Sequence, residues 1–154
     1  MKKAITKLWV FLFCPMWSCF INLGYIIFNL PKYNDIKEQK KILLASTLQD
    51  CMSKFIWDKD NLKDWHKWVC VLIAHNFTGD CEDAALLAMF WLRKHNIKAD
   101  LFFMYDSKFK EGHTVCVTKD RETMVTNERV VYLNPTRWER EVLEYFNGKY
   151  EVII

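Results

Sequence analysis

Gly79-Asp80-Cys81-Glu82-Asp83-Ala84-Ala85 decides how the rest of the chain reads, because it sets a cysteine in the first turn of a strongly patterned helix. Beyond it, Ala84, Leu87, Ala88, Trp91 and Leu92 recur at three- and four-residue spacing, the mark of one buried stripe. A helix is therefore expected from Cys81 to about His95, with Arg93, Lys94 and His95 in its last turn and Asn96 as a left-handed stop. Asp80 is the expected N-cap, and Asp83 completes a pair resembling a capping box. A thiol at that position faces unpaired backbone N–H groups and the positive end of the helix dipole, which favour thiolate. The same N–H groups are expected to serve an oxyanion. Asp80, Glu82 and Asp83 oppose this by raising the pKa of the sulfur, and stabilising the helix start is reason enough for their presence.

A cysteine by itself is usually a small apolar side chain. Two later segments change its weight. Gly112-His113-Thr114-Val115 opens an alternating run, and Val130-Val131-Tyr132-Leu133-Asn134-Pro135-Thr136 closes another, so two neighbouring strands are expected to bring His113 and Asn134 to the sulfur. In that arrangement His113 takes the thiol proton as general base. Asn134 hydrogen-bonds the other imidazole nitrogen and fixes ring orientation and tautomer.

The heptapeptide, then Gly-His, then Asn-Pro-Thr, resembles the transglutaminase-like cysteine peptidase superfamily, in particular its small bacterial and phage members, over roughly residues 45–140. The resemblance implies a papain/transglutaminase-like core with Cys81 as nucleophile, His113 as base and Asn134 where many relatives have an aspartate. An asparagine cannot stabilise imidazolium by charge, so the implied triad is nearer the papain arrangement. Asp120 stays open as another third member. A second oxyanion donor upstream of the nucleophile is also implied, and Trp57, Trp65, Trp68, His75 and Asn76 all carry polar groups in that region. No cofactor is called for. The expected substrate is a peptide or protein amide opened through a thioester, and the alternatives are a catalytically silent module of the same fold that grips a peptide, or a membrane-tethered interaction protein.

The 154 residues suit one domain, expected over residues 35–154 behind an apolar segment at 1–34. Net charge is +3, from 22 basic and 19 acidic side chains mixed along the chain, so no nucleic-acid partner is indicated. Cys14, Cys19, Cys51, Cys70, Cys81 and Cys116 form no C-x-x-C and no disulfide framework, and a catalytic thiol favours a reducing compartment. His66, Cys70, His75 and Cys81 follow no zinc-ligand spacing with a mechanism, so no metal is expected. Leu8–Leu30 runs 23 residues without a charge after Lys2, Lys3 and Lys7, enough to span a hydrocarbon layer, although Pro15, Asn22, Gly24 and Asn29 interrupt it. Two readings stand for residues 8–30: membrane contact, or apolar helices packed on the domain or on a partner. The expected location is cytoplasmic or membrane-associated, and without a small-x-small site no cleaved signal peptide is expected.

Elsewhere a helix is expected from Ile36 to about Phe55 with Asp35 as its cap, and another from Trp65 towards Ala74 after Asp64. Strands are expected at Ile97–Tyr105, Thr114–Thr118 and Val130–Leu133, with a turn at Asp120-Arg121-Glu122 and a polar loop at 107–111. Trp138–Phe146 reads as a helix stopped by Asn147-Gly148, and Tyr150–Ile154 as an edge strand. Helices first and antiparallel strands after them predict an α+β fold with the nucleophile helix packed on a small antiparallel sheet.

Overall fold

In a computed structural model, residues 33–58, 77–106, 112–127, 129–150 and 152–153 are described, together with Leu23. The expected helix at 65–74, the loop at 107–111, His66, Cys70 and His75 lie outside them, as does the apolar stretch 8–30 apart from Leu23. Among the described residues no helix is long and apolar enough to cross a membrane.

The fold is α+β. Helices α1 (Tyr33–Ala45) and α2 (Leu48–Met52) lead into β1 (Ile56–Trp57), which pairs in parallel with β2 (Thr78–Gly79). Helix α3 (Cys81–Lys94) follows, then β3 (Ala99–Tyr105), β4 (Gly112–Thr118), β5 (Thr123–Thr126), β6 (Arg129–Tyr132), α4 (Trp138–Tyr145) and β7 (Val152–Ile153). Strands β3 to β7 form one antiparallel sheet in the order β6-β5-β4-β3-β7.

The expectation of one helix through Ile36–Phe55 is corrected to two. The chain breaks at Ser46-Thr47, where Thr47 takes extended dihedrals and its hydroxyl accepts the Asp50 N–H, so a residue that reads as helix interior by periodicity acts as an N-cap. Asp35 sits inside the first turn of α1 rather than ahead of it. The short strand β5 was not expected; its four residues follow the Asp120 turn too closely for a period-two pattern to stand out.

The sheet separates two cores. On one face Ala84, Ala85, Leu87, Ala88, Trp91 and Leu92 of α3 pack with Leu43, Cys51, Met52 and Phe55 and with Ala99, Cys116 and Val125 of the sheet. On the other, Met104, Val115, Val117 and Met124 pack with Leu133, Val142 and Tyr150, with Phe146 and Trp138 alongside. Polar contacts tie these elements together. Trp91 donates its indole N–H to the Leu43 carbonyl at 3.3 Å, joining α3 to α1, and the Arg121 guanidinium lies 4.6 Å from the Phe102 ring and 4.5 Å from that of Trp138, joining α4 to the β4–β5 turn. At the sheet edge the Val130 N–H donates to the Gln49 side chain at 3.1 Å, so α2 covers part of β6.

Candidate active site

Helix α3 begins as its sequence predicts. Asp80 is the N-cap, with its Oδ1 accepting the N–H groups of Glu82 at 3.1 Å and Asp83 at 3.3 Å. The far end closes at Asn96, whose φ of 61° is the expected left-handed stop. Asp83 is fully buried. A Cβ on Gly79 would collide with its carboxylate, so the residue before the cap must be glycine for the chain to fold over that side chain. Glycine, cap and cysteine in Gly79-Asp80-Cys81 thus do separate jobs at one corner of the fold.

Cys81 is half-buried, and its thiol donates to Glu82 Oε2 at 3.7 Å. The backbone N–H of Thr114, on β4, acts on the same sulfur in favour of its charged form. Burial outweighs it. The thiol is pushed up to about 12, first by desolvation and then by the Glu82 carboxylate, with Thr114 pulling down and Asp80 adding to the rise. Of the two opposing tendencies expected at the sulfur, the one that keeps the proton prevails.

His113 is the chain neighbour of Thr114, so β4 places its backbone one residue from the position the sulfur touches. The ring, however, belongs to the other face of the sheet. Its cross-strand partner is Met104, and Val115 and Val117 share its side of the strand; all three lie in the core beneath α4, whereas Cys116 faces α3. The imidazole packs edge-on to Phe146 at 4.9 Å between ring centroids and parallel to Tyr150 at 5.8 Å. Its Nε2 pairs with the Thr126 hydroxyl at 2.8 Å. Among the described residues no hydrogen bond joins the thiol and the imidazole. Burial, assisted by the charge of Lys149, lowers the imidazole to about 4, which leaves it neutral at physiological pH.

Asn134 does not reach this ring. It is exposed, and its side-chain oxygen accepts the Thr136 N–H at 3.0 Å and the Thr136 hydroxyl at 2.7 Å, while its own N–H donates to Glu141 at 2.7 Å. An asparagine before Pro-Thr does here what its short amide does well: it closes a turn on the backbone two residues ahead and so starts α4. The expected role of Asn134 on the imidazole is thereby corrected, and the group in that place is Thr126. Nothing in the sequence marks Thr126, because a threonine in a short strand gives no chemical signal until its neighbour on the next strand is known. Asp120 is held in the β4–β5 turn by the Thr118 hydroxyl and the Glu122 N–H, at the opposite end of β4 from His113, with its carboxyl below the usual range because of those bonds.

Glu82 completes the surroundings of the sulfur. Its carboxyl is pushed up to about 7, chiefly by burial and then by the neighbouring Asp80 carboxylate. Trp57 on β1 lies opposite Gly79 in the parallel ladder and is 55% exposed, so an indole stands at the surface close to the cysteine in the chain pairing. A shallow depression of about 510 Å³ at the carboxyl end of α3, between Arg93, Asn96 and Lys119, lies at the other end of the helix from Cys81. Among the described residues no cluster of ligating side chains could hold a metal. No family model and no curated protein matches the chain.

Proposed function

We propose that this chain is a thiol-dependent acyl-transfer enzyme of the transglutaminase-like, papain-like kind, acting on a peptide or isopeptide amide. The observation that carries the reading is the sulfur of Cys81 at the capped amino end of α3, set against the Thr114 N–H one residue from His113. In the reaction the Cys81 S–H gives its proton to His113, the sulfur bonds the amide carbon, and the imidazolium returns the proton to the departing amine. Water then adds to the thioester and releases the acid. Asp80 occupies the Glu82 and Asp83 N–H groups, so the N–H groups of Cys81 and Thr114 are the donors left for the oxyanion. For the first step the ring must leave the Phe146–Tyr150 side and turn its free nitrogen to the sulfur. Thr126 holds the other nitrogen and sets the tautomer in the resting state.

A second reading has its own observation: thiol and imidazole are both uncharged and unbonded to each other at rest, as suits a silent module that binds a peptide without cleaving it. An activated peptide ester separates the two. The enzyme accumulates a covalent acyl adduct on Cys81, detected as a mass increase that C81A abolishes and H113A slows by about a hundredfold or more. A protein that binds the ester's peptide but never gains the mass is the module.

A further inference from the structure

The thiol is not free to meet a base, because it already has a partner. Cys81 and Glu82 are adjacent in the first turn of α3, and the S–H is directed at Oε2 across 3.7 Å. Burial and the Asp80 carboxylate oppose the charge of Glu82 and outweigh its own backbone N–H and the Cys81 S–H, which favour it. Asp80 lies beside it at the cap, Asp83 is buried on the same turn, and Asp58 is tied to the same ladder by its N–H bond to the Gly79 carbonyl. From β4 the Thr114 N–H reaches the sulfur rather than the carboxylate, and the His113 imidazole, with the charge of Lys149 acting on it, packs on Phe146 and Tyr150 at the other face of the sheet. Among the described residues no lysine or arginine pairs with Glu82.

We propose that Glu82 is a latch on the nucleophile: its carboxylate accepts the Cys81 S–H and holds the sulfur protonated, and neutralising that carboxylate releases the sulfur for reaction. The latch rests on the acyl-transfer reading for its purpose, but its operation is a property of the resting site and can be measured without any substrate.

The expected behaviour follows from charge. With Glu82 protonated near pH 7 and below, loss of the thiol proton creates a single negative charge, and the carboxyl O–H can donate to the thiolate. Above that pH, ionising the thiol against an ionised carboxylate places two like charges in contact in a half-buried site. The thiolate carrying a protonated Glu82 then has the same total proton count as the thiol carrying an ionised one, so its population stops rising with pH. A single thiol without such a neighbour gains about tenfold in thiolate per pH unit until its own pKa.

The test is the rate of Cys81 alkylation by iodoacetamide from pH 5 to pH 10, with labelling sites read by peptide mass spectrometry. The wild-type rate should climb to about pH 7, level off, and climb again only at strongly alkaline pH. E82Q should lose the level portion and label Cys81 about tenfold faster than wild type at pH 9. Buried Cys51 and Cys116 report folding in the same samples, since both stay unlabelled in a folded variant. If E82Q exposes them, the wild-type profile decides: an unbroken rise through pH 7 to 10 overturns the latch. A level portion that persists in folded E82Q, or slower labelling of that variant, overturns it equally. Failure of the acyl-transfer reading shows separately, as a missing acyl adduct from the activated ester, whatever the alkylation profile.

Discussion

His113 and Glu82 are two half-buried titratable residues whose environments push them in opposite directions, and their effects on stability oppose each other. The imidazole is lowered to about 4 by burial, so between about pH 6.5 and 4 the unfolded chain takes up a proton that the folded one refuses. Stability carried by His113 is therefore lost as pH falls through that window, by a few kcal/mol at most (~3). Glu82 is raised to about 7, so its share is present below the ordinary carboxyl range and lost as pH rises from about 4.5 to 7. In wild type the two slopes offset one another over about pH 4.5 to 6.5. Urea unfolding should give a nearly level midpoint across that range, H113Q should show stability falling as pH rises, and E82Q should show it rising. A steep wild-type slope matching either variant would mean that one of the two residues is not shifted by its surroundings. At the same scale, T126V removes the hydroxyl on Nε2 at nearly constant volume. If Thr126 sets the tautomer, formation of the acyl adduct should slow by about tenfold or more, while N134A, whose side chain serves a turn, should leave that rate within about twofold.

At the scale of elements, the amino end of α3 joins packing to chemistry. Asp80 satisfies two N–H groups of the first turn, and D80A should cost about 1 kcal/mol by thermal or urea unfolding while D80N, which can still accept, costs a few tenths. Gly79 is a different kind of constraint, since its Cβ-less backbone lies over the buried Asp83 carboxylate. G79A should destabilise by about 1–3 kcal/mol through overpacking, measurable in the same way. A G79A protein of wild-type stability would show that the Asp83 side chain has room to move. The elements themselves were readable to different degrees. Helix α3 declared both ends through Asp80 and Asn96, β4 and β6 stood out by alternation, and β3 by its run of apolar and aromatic residues. The break between α1 and α2 was hidden because Leu44, Leu48, Cys51 and Met52 keep helical spacing across it, and only the Thr47 hydroxyl on the Asp50 N–H shows why the chain stops and restarts there.

For the whole molecule, the five-stranded sheet divides the interior into a core under α3 and a core under α4. Leu87 is buried in the first and Val142 in the second. L87A should cost about 2–5 kcal/mol. The L87A/V142A double variant should equal the sum of the single effects within about 0.5 kcal/mol, because the sheet keeps the two cavities from sharing neighbours. A coupling well above that value in urea unfolding would mean that the two layers repack as one. The same division bears on function. Cys81 enters from the α3 side, whereas the His113 ring sits with Phe146 and Tyr150 on the α4 side, so the candidate pair straddles the sheet instead of sharing one of its faces.

The sequence by itself determined the helix that presents Cys81, its cap, the strand bearing His113 and the α+β class, since each depends on local propensity, capping chemistry or periodicity within a short window. Which face of β4 the imidazole takes was decided by register against β3 and by which helix covers which side, and a one-residue difference in that pairing would reverse it. The partner of its Nε2 was decided likewise: Thr126 and Asn134 are both polar residues near strand ends, and only the fold of β5 beside β4 gives the ring to one and leaves the other to start a helix. The protonation of the sulfur belongs to the tertiary structure too, because burial and the adjacent carboxylate outweigh the dipole of the helix that the local sequence builds.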